Sequence, residues 1–162
     1  MVYKSRAYIN PPYNRELHGP MEFGICRARR FDGVYERLVD CPIFDCHTEE
    51  VEDPFIWKDA EGYRMMAKDM RGVICGERQA GVYAGSQDGI HWDFCKKGPF
   101  YSRKILWDDG VVREMGNLER PFLLIENGVP THAFFATGEG ENEAGFSKLK
   151  RTWNMVIPLK WQ

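Results

Sequence analysis

The sequence lacks the features that mark several large classes of protein. Its 162 residues carry a net charge of −2, so no broad positive field favours nucleic acid as a partner. No stretch is apolar for long enough to cross a membrane, and residues 1–10 contain no apolar segment typical of a signal peptide. These absences predict a cytoplasmic protein that binds neither nucleic acid nor membranes.

The cysteines also lack a recognisable metal-binding or redox pattern. There are five, at Cys26, Cys41, Cys46, Cys75 and Cys95, and no two of them form a CxxC pair. Cys41 and Cys46 are close in sequence, but no matching cysteine or histidine group completes a zinc spacing. The sequence therefore predicts reduced, mostly buried cysteines, no metal site and no cofactor.

No long amphipathic helix can be recognised, and short β-prone runs separated by turn signals occupy the chain from residue 21 onward. The composition, 43% hydrophobic, 14% aromatic and 28% charged, is typical of one globular domain with its own core. Alternation and β-branched or aromatic content predict the strands. They are expected at 24–28, 34–38, 52–57, 63–68, 81–86, 90–94, 119–125, 131–137 and 153–159.

A polar pair followed by proline and a run of large apolar residues occurs twice. The first copy is Glu52-Asp53-Pro54, and the second, 67 positions later, is Glu119-Arg120-Pro121. Proline is tolerated at the first residue of a strand, where its missing N–H breaks no ladder bond. Both copies are therefore expected to hold charged side chains rigidly at the entrance of a buried strand, directed toward a shared cavity.

Turn signals repeat at a similar interval and indicate the fold class. Asp32-Gly33 and Asp88-Gly89 each separate two β-prone runs, which is typical of a hairpin. A four-stranded antiparallel unit that recurs in this way is typical of a β-propeller blade, although an antiparallel sandwich would share some of these turns. We predict an all-β chain in which residues 1–20 form an arm and residues 21–162 form a partial β-propeller of about two and a half to three blades.

An incomplete set of blades would expose strand edges and an apolar face. The open face predicts a homo-oligomer, most simply a dimer, in which a second copy completes the ring. The alternative is a truncated or split product.

The ordered string of motifs resembles five-bladed β-propeller glycoside hydrolases, in the grouping of families 43, 32 and 117. The resemblance covers roughly residues 19–137 and corresponds to the later blades of such an enzyme. It rests on the following segments: 51–59, 67–70, 85–92, 119–121 and 126–132. The first blades, including the one that carries the usual catalytic-base aspartate, have no counterpart in this sequence.

The resemblance implies roles for the repeated polar pair. Glycoside hydrolysis needs two carboxyl groups, one of which donates a proton. Glu119 matches the general acid, and Asp53 matches the aspartate that orients and tunes it. Asp53, alone or with Glu52, could supply the second negative charge that raises the pKa of the acid, whereas Arg120 would oppose this effect. Both motifs could instead have purely structural roles: Asp53 could cap a turn, and Glu119 with Arg120 could form a structural ion pair.

Further residues are expected to contact the substrate, a carbohydrate in an axial pocket. They are Arg120, His132, Trp107 and Lys68, in addition to Glu52. Arg120 could hold a sugar hydroxyl or carboxylate, and Trp107 could stack on a sugar ring. His132 could equally be a core histidine, and the Trp107 loop could simply be solvated.

A catalytic base is missing from the motifs of this chain. The other carboxylates considered, Glu16, Glu22 and Asp69, lie outside the base motif of the family. We therefore expect a glycoside hydrolase-like protein that acts on or binds a carbohydrate but lacks the base within one chain. The alternatives are a non-catalytic carbohydrate-binding or assembly module and an inactive remnant that merely folds.

Overall fold

The computed structural model describes residues 1–6, 19–45, 47–95, 97–140 and 148–160. The predicted all-β class is confirmed, because these residues form several antiparallel sheets and none of them lies in an α-helix. Accordingly, the described ranges contain no helix that is long and apolar enough to cross a membrane.

Three sheets and one small hairpin follow each other along the chain. The first sheet contains β1 (Val2–Ser5), β2 (Glu22–Arg27) and β3 (Glu36–Arg37). The second contains β4 (Val51–Asp59), β5 (Gly62–Asp69), β6 (Gly81–Ser86) and β7 (Asp93–Phe94). The hairpin contains β8 (Lys104–Leu106) and β9 (Val112–Glu114). The third sheet contains β10 (Asn117–Glu126), β11 (Val129–Glu139) and β12 (Arg151–Pro158).

Each sheet is a meander in which strands that are consecutive in sequence pair antiparallel. Short turns make this possible. Asn127 and Gly128 connect β10 to β11 with φ angles of 53° and 80°, which is the backbone that a two-residue hairpin turn requires. The first strands also lie side by side, with β1 next to β4 and β4 next to β10. The beginnings of three sheets therefore meet in one region.

The second sheet is packed between the other two. Successive side chains of a strand point to opposite faces, so the adjacent residues Met65 and Met66 of β5 enter different cores. Met65 is fully buried with Phe23 of the first sheet, whereas Met66 is buried with Leu118 and Phe135 of the third sheet. Two apolar layers thus fix the order first sheet, second sheet, third sheet.

Some local predictions were wrong. The predicted strands at 34–38 and 90–94 are reduced to Glu36–Arg37 and Asp93–Phe94, and strands β8 and β9 were not predicted. Strand β1 lies in the stretch assigned to an arm, where only irregular backbone was expected. The strands that carry the two polar pairs begin earlier than predicted, so each proline lies inside its strand.

The cysteines agree only in part with expectation. Cys26, Cys41, Cys75 and Cys95 are free, but Cys41 and Cys95 are exposed, so the prediction of mostly buried thiols does not hold for the described cysteines. Cys46 lies outside the described residues. Burial raises the pKa of the Cys75 thiol, which disfavours the reactive thiolate.

Candidate functional site

The two polar pairs form matching bulges in β4 and β10. Glu52 pairs with Lys68 and Phe55 with Met66, so two residues of β4 oppose a single residue of β5. The same shift occurs between Glu119 and Phe122 in β10. A proline fits such a position, because the extra residue of a bulge is left out of the ladder.

The residue before each proline has an unusual backbone conformation. Asp53 has φ 53° and Arg120 has φ 52°, in the left-handed region that residues other than glycine seldom adopt. Such a conformation costs on the order of 1–3 kcal/mol and persists where surrounding contacts hold it. At Asp53 the contact is visible: its Oδ2 accepts a hydrogen bond of 2.9 Å from the backbone N–H of Arg120. The two bulges are therefore joined to each other.

Three carboxylates meet where β4 and β10 lie side by side, and two lysines bind them. Lys68, on β5, forms ion pairs with Glu119 and, at 3.1 Å, with Glu52. Lys4, on β1, forms ion pairs with Glu52 at 2.9 Å and with Asp53 at 2.8 Å. We call these five residues the carboxylate cluster. All three sheets contribute to it, so it depends on their packing and not on any one hairpin.

The two lysines differ in burial. The Lys68 side chain is 3% exposed, whereas that of Lys4 is 39% exposed. A buried ammonium is tolerated only with close anionic partners, and Lys68 has two of them. Lys4 closes the cluster from the solvent side, where its attraction to the carboxylates is weakened by water.

The carboxylates of the cluster are shifted in opposite directions. Burial raises the pKa of Glu119, and the negative charges of Asp53 and Glu52 add to this effect. The ammonium of Lys68 opposes the shift without reversing it. Burial acts in the same sense on Glu52 and Asp53 and is the largest single effect on each. The hydrogen bonds and charges of Lys4 and Lys68, with the Arg120 N–H at Asp53, together outweigh it, so the pKa values of both carboxylates are lowered. Glu119 is the carboxyl group of the cluster that keeps its proton to the highest pH.

A buried tyrosine lies beside the cluster. The Tyr101 hydroxyl is shielded from solvent and has no hydrogen-bond partner among the described residues. Burial, together with the charges of Asp53 and Glu119, raises the pKa of Tyr101 well above its ordinary value. The ring packs edge-on against Phe135 and lines an apolar cavity of about 430 Å³ between the third sheet and residues 100–106. The hydroxyl is therefore a neutral donor without a partner among the described residues.

The structure brings together only some of the residues predicted from sequence. Lys68 contacts both Glu52 and Glu119, and Asp53 belongs to the same cluster. Arg120 contributes only its backbone N–H, which binds Asp53, and its side chain is exposed. In the described part of the chain its guanidinium forms no ion pair. The alternative in which Glu119 and Arg120 form a structural ion pair with each other is therefore not observed, and Glu119 pairs with Lys68.

His132 and Trp107 lie apart from the cluster. His132 is four residues from Ala136, the partner of Glu119 on β11, which places it roughly 13 Å along the strand. Its Nδ1 lies 3.1 Å from the Thr131 hydroxyl. Trp107 packs against the second apolar layer, and the Arg113 guanidinium lies 5.3 Å from its ring centroid. Neither residue contacts the carboxylates, so the substrate contacts predicted for His132 and Trp107 would lie away from Glu119.

Of the other carboxylates considered, Asp69 is occupied by the backbone of the loop that follows it. Asp69 is fully buried, and its oxygens accept hydrogen bonds from the backbone N–H groups of Arg71, Gly72, Ile74 and Cys75. That is a structural role, because it fixes the loop after β5. Glu22, on β2, has a partner of its own, and Glu16 lies outside the described residues.

Two members of the site were missed from sequence. Lys4 lies in a four-residue strand that carries no period-two signal, and Tyr101 lies in a loop. The apolar run after each proline was recognisable, but which side chains from other sheets would meet it was not.

A metal ion would have to displace the lysines of the cluster. Within the described ranges, no group of three or more histidine, cysteine, aspartate or glutamate side chains is arranged to hold one. Both oxygens of Glu52 and Oδ1 of Asp53 are already bound by ammonium groups, and Oδ2 of Asp53 accepts the Arg120 N–H. The cluster offers one carboxyl group with a raised pKa and two with lowered pKa values, and beside it lies the Tyr101 hydroxyl, which has no partner among the described residues.

Comparisons with known proteins leave the family of the chain open. No protein-family model, curated protein or solved structure matches it significantly.

Proposed function

We propose that the chain is a partial β-propeller of the glycoside hydrolase type and that the carboxylate cluster is its carbohydrate site. Two features of the fold support this proposal. The three main sheets are meanders with their strands in sequence order, as propeller blades are. Their first strands lie next to one another, as inner strands do around a propeller axis.

The opposite pKa shifts within one cluster carry the functional part of the proposal. Glycoside hydrolysis needs one carboxyl group that is protonated and another that is ionised. A pair of titratable groups whose surroundings shift their pKa values apart marks such an assignment. In this chain the pKa of Glu119 is raised, and the pKa values of Asp53 and Glu52 are lowered.

The proposed reaction follows from these pKa shifts. Glu119 donates its proton to the glycosidic oxygen as the bond to the sugar carbon breaks, and the leaving alcohol departs neutral. Asp53 and Glu52 stabilise the positive charge that develops on the sugar ring. The Tyr101 hydroxyl, which has no described partner, donates a hydrogen bond to a sugar oxygen. Water then adds to the sugar carbon and releases its proton to solvent, since no residue of the cluster is placed as a base, and Glu119 takes up a proton again.

A second function is favoured by one observation, the direct binding of the carboxylates by Lys4 and Lys68. These ammonium groups stand where a sugar hydroxyl or a water molecule would otherwise bind. A site neutralised in this way suits a module that binds a carbohydrate without cleaving it. The two functions share their ligand class and differ in turnover.

The test combines hydrolysis with binding. The purified chain is incubated with a panel of aryl glycosides and oligosaccharides, and product release and calorimetric binding are both measured. We expect Glu119→Gln to abolish hydrolysis and to retain binding. The control is Glu139→Gln on β11, whose side chain is 63% exposed and pairs with Arg151. It should behave as the unchanged chain does.

The pH profile provides a second readout. Because burial and neighbouring charge raise the pKa of Glu119, kcat/KM should fall as the pH rises through that raised value. The value of kcat/KM should also fall at low pH, where Asp53 and Glu52 become protonated. Because the pKa values of these two carboxylates are lowered, this fall should occur below the ordinary pKa of a carboxyl group. Binding without turnover would support the second function. The absence of both binding and turnover across the panel would overturn the proposal.

A further inference from the structure

One face of the third sheet is apolar and open to solvent. Phe122, Leu124 and Val156 lie on this face with 52%, 38% and 50% of their surface exposed. Phe134, which pairs with both Phe122 and Val156, lies between them. We call these four residues the outer face of the third sheet. The opposite face of the same sheet is buried against the second sheet and includes Leu123 and Phe135.

The internal repeat shows what kind of surface covers such a face. In the second sheet the row Phe55, Met66 and Tyr83 occupies the same register as Phe122, Phe134 and Val156 in the third. The row of the second sheet is packed: Met66 is 1% exposed, and the ring of Phe55 lies 5.1 Å from that of Phe122.

Its cover comes from the third sheet and from the chain leading to it, where Phe100 lies 5.1 Å from Tyr83. The row of the third sheet is built in the same way and lacks an equivalent cover among the described residues. A sheet of this chain is the surface that such a row fits, and a second copy of the chain can supply one.

Charges at the two ends of β10 indicate how a second copy would lie. Arg120 is at one end of the exposed row and Glu126 at the other, both with exposed side chains. They are six residues apart, about 20 Å along the strand. A two-fold axis that passes near Leu123, midway between the two charges, would place Arg120 of each copy opposite Glu126 of the other. Such isologous contacts are typical of homodimers.

The size of the face limits the affinity. Three strands spaced about 4.8 Å apart and roughly 10 residues long cover on the order of 500 Å² per copy. The total of about 1,000 Å² lies below the range of about 1,200–2,000 Å² found in stable complexes. The dimer should therefore be weak, with dissociation in the micromolar range.

We propose that the outer face of the third sheet is the interface of a two-fold homodimer of this chain. The interface is independent of the proposed carbohydrate function, since it rests on apolar exposure, the repeat and charge. Its test needs no substrate, so the two proposals can fail separately.

The experiment is sedimentation velocity on the whole chain between roughly 1 and 200 μM, the range in which a weak dimer dissociates. We expect a monomer–dimer equilibrium for the unchanged chain. Val156→Asp places an unpaired charge in the interface and should raise the dissociation constant about tenfold or more. The matched control is Val112→Asp on β9, where Val112 is 60% exposed on a different surface and the dimer should persist.

Charge exchange tests the two-fold arrangement itself. Arg120→Glu and Glu126→Arg should each weaken the dimer, and the double variant should restore it. A monomer at all concentrations would overturn the proposal, as would a dimer that Val156→Asp leaves unchanged. Failure of the double variant to recover would overturn the two-fold pairing.

Discussion

At the scale of single residues, both lysines of the carboxylate cluster bind the same carboxylate, Glu52, but they differ in burial. Lys68 is 3% exposed and Lys4 is 39% exposed. Removing one partner of a buried ion pair costs about 3–5 kcal/mol, whereas an exposed, solvent-screened pair contributes about 0–1 kcal/mol. We expect Lys68→Met to lower the free energy of unfolding by about 3 kcal/mol or more, and Lys4→Met by about 1 kcal/mol or less.

Urea denaturation of the two variants in parallel measures this difference. The same substitution is made in both, so side-chain chemistry is matched and burial is what varies. Equal losses would mean that Lys68 is not the structural counter-ion of the cluster. A larger loss for Lys4→Met would reverse the assignment.

The hydroxyl of Tyr101 leads to a prediction of opposite sign for stability and binding. An unsatisfied buried polar group costs about 1–3 kcal/mol. Tyr101→Phe removes that group and keeps the ring against Phe135, so it should leave the stability unchanged or raise it by about 1 kcal/mol. If the hydroxyl serves the carbohydrate, the same variant should bind the ligand less tightly.

Thermal unfolding and calorimetry with a glycoside identified in the panel provide both values. A Tyr101→Phe chain that is clearly destabilised would show that the hydroxyl has a partner in the folded protein. A chain with unchanged affinity would remove Tyr101 from the site without affecting the role of Glu119.

At the scale of elements, the twin bulges make a comparison within one molecule possible. Asp53 and Arg120 share a left-handed backbone conformation, which glycine adopts without strain. The Arg120 side chain is exposed, so Arg120→Gly should stabilise the chain by up to about 1 kcal/mol. Asp53→Gly relieves the same strain but loses the contacts with Lys4 and the Arg120 N–H, so it should destabilise by about 1–3 kcal/mol.

Differential scanning calorimetry of both variants gives the sign directly. The prediction holds if the two transitions move in opposite directions. Destabilisation by Arg120→Gly comparable to that of Asp53→Gly would mean that the second bulge is held by its own side chain and not by the link between the bulges.

The strands illustrate how far the sequence alone could lead. β6 was predicted with its observed limits, and Asn127-Gly128, a pair favoured in hairpin turns, does form the turn between β10 and β11. The bulges were missed because a proline inside a strand looks the same in sequence as a proline at its start. β3 and β7 were overestimated, since local β propensity does not reveal where a neighbouring strand ends.

The candidate site was predictable where it follows the repeated motif and unpredictable where it depends on packing. Glu52, Asp53 and Glu119 belong to the motif, and they meet. Lys4 reaches them because β1 happens to lie beside β4, which no local pattern encodes. Trp107 was selected for its loop position, but its ring is taken up by the second apolar layer.

At the scale of the whole molecule, the adjacent residues Met65 and Met66 connect two apolar layers through one strand. Met65 is buried between the first and second sheets, and Met66 between the second and third. If the sheets unfolded one by one, as repeats can, a cavity in either layer would split the transition. Because β5 belongs to both layers, neither can separate without exposing a face of the second sheet.

We therefore expect Met65→Ala and Met66→Ala each to destabilise the chain by about 2–5 kcal/mol and to keep a single transition. Far-ultraviolet circular dichroism reports the strands, and tryptophan fluorescence reports both layers through Trp92 and Trp153. Coincident curves from the two probes in both variants indicate one cooperative unit. Curves that separate in one variant would show that a sheet and its layer fold independently, and the cluster that joins all three sheets would then contribute little to cooperativity.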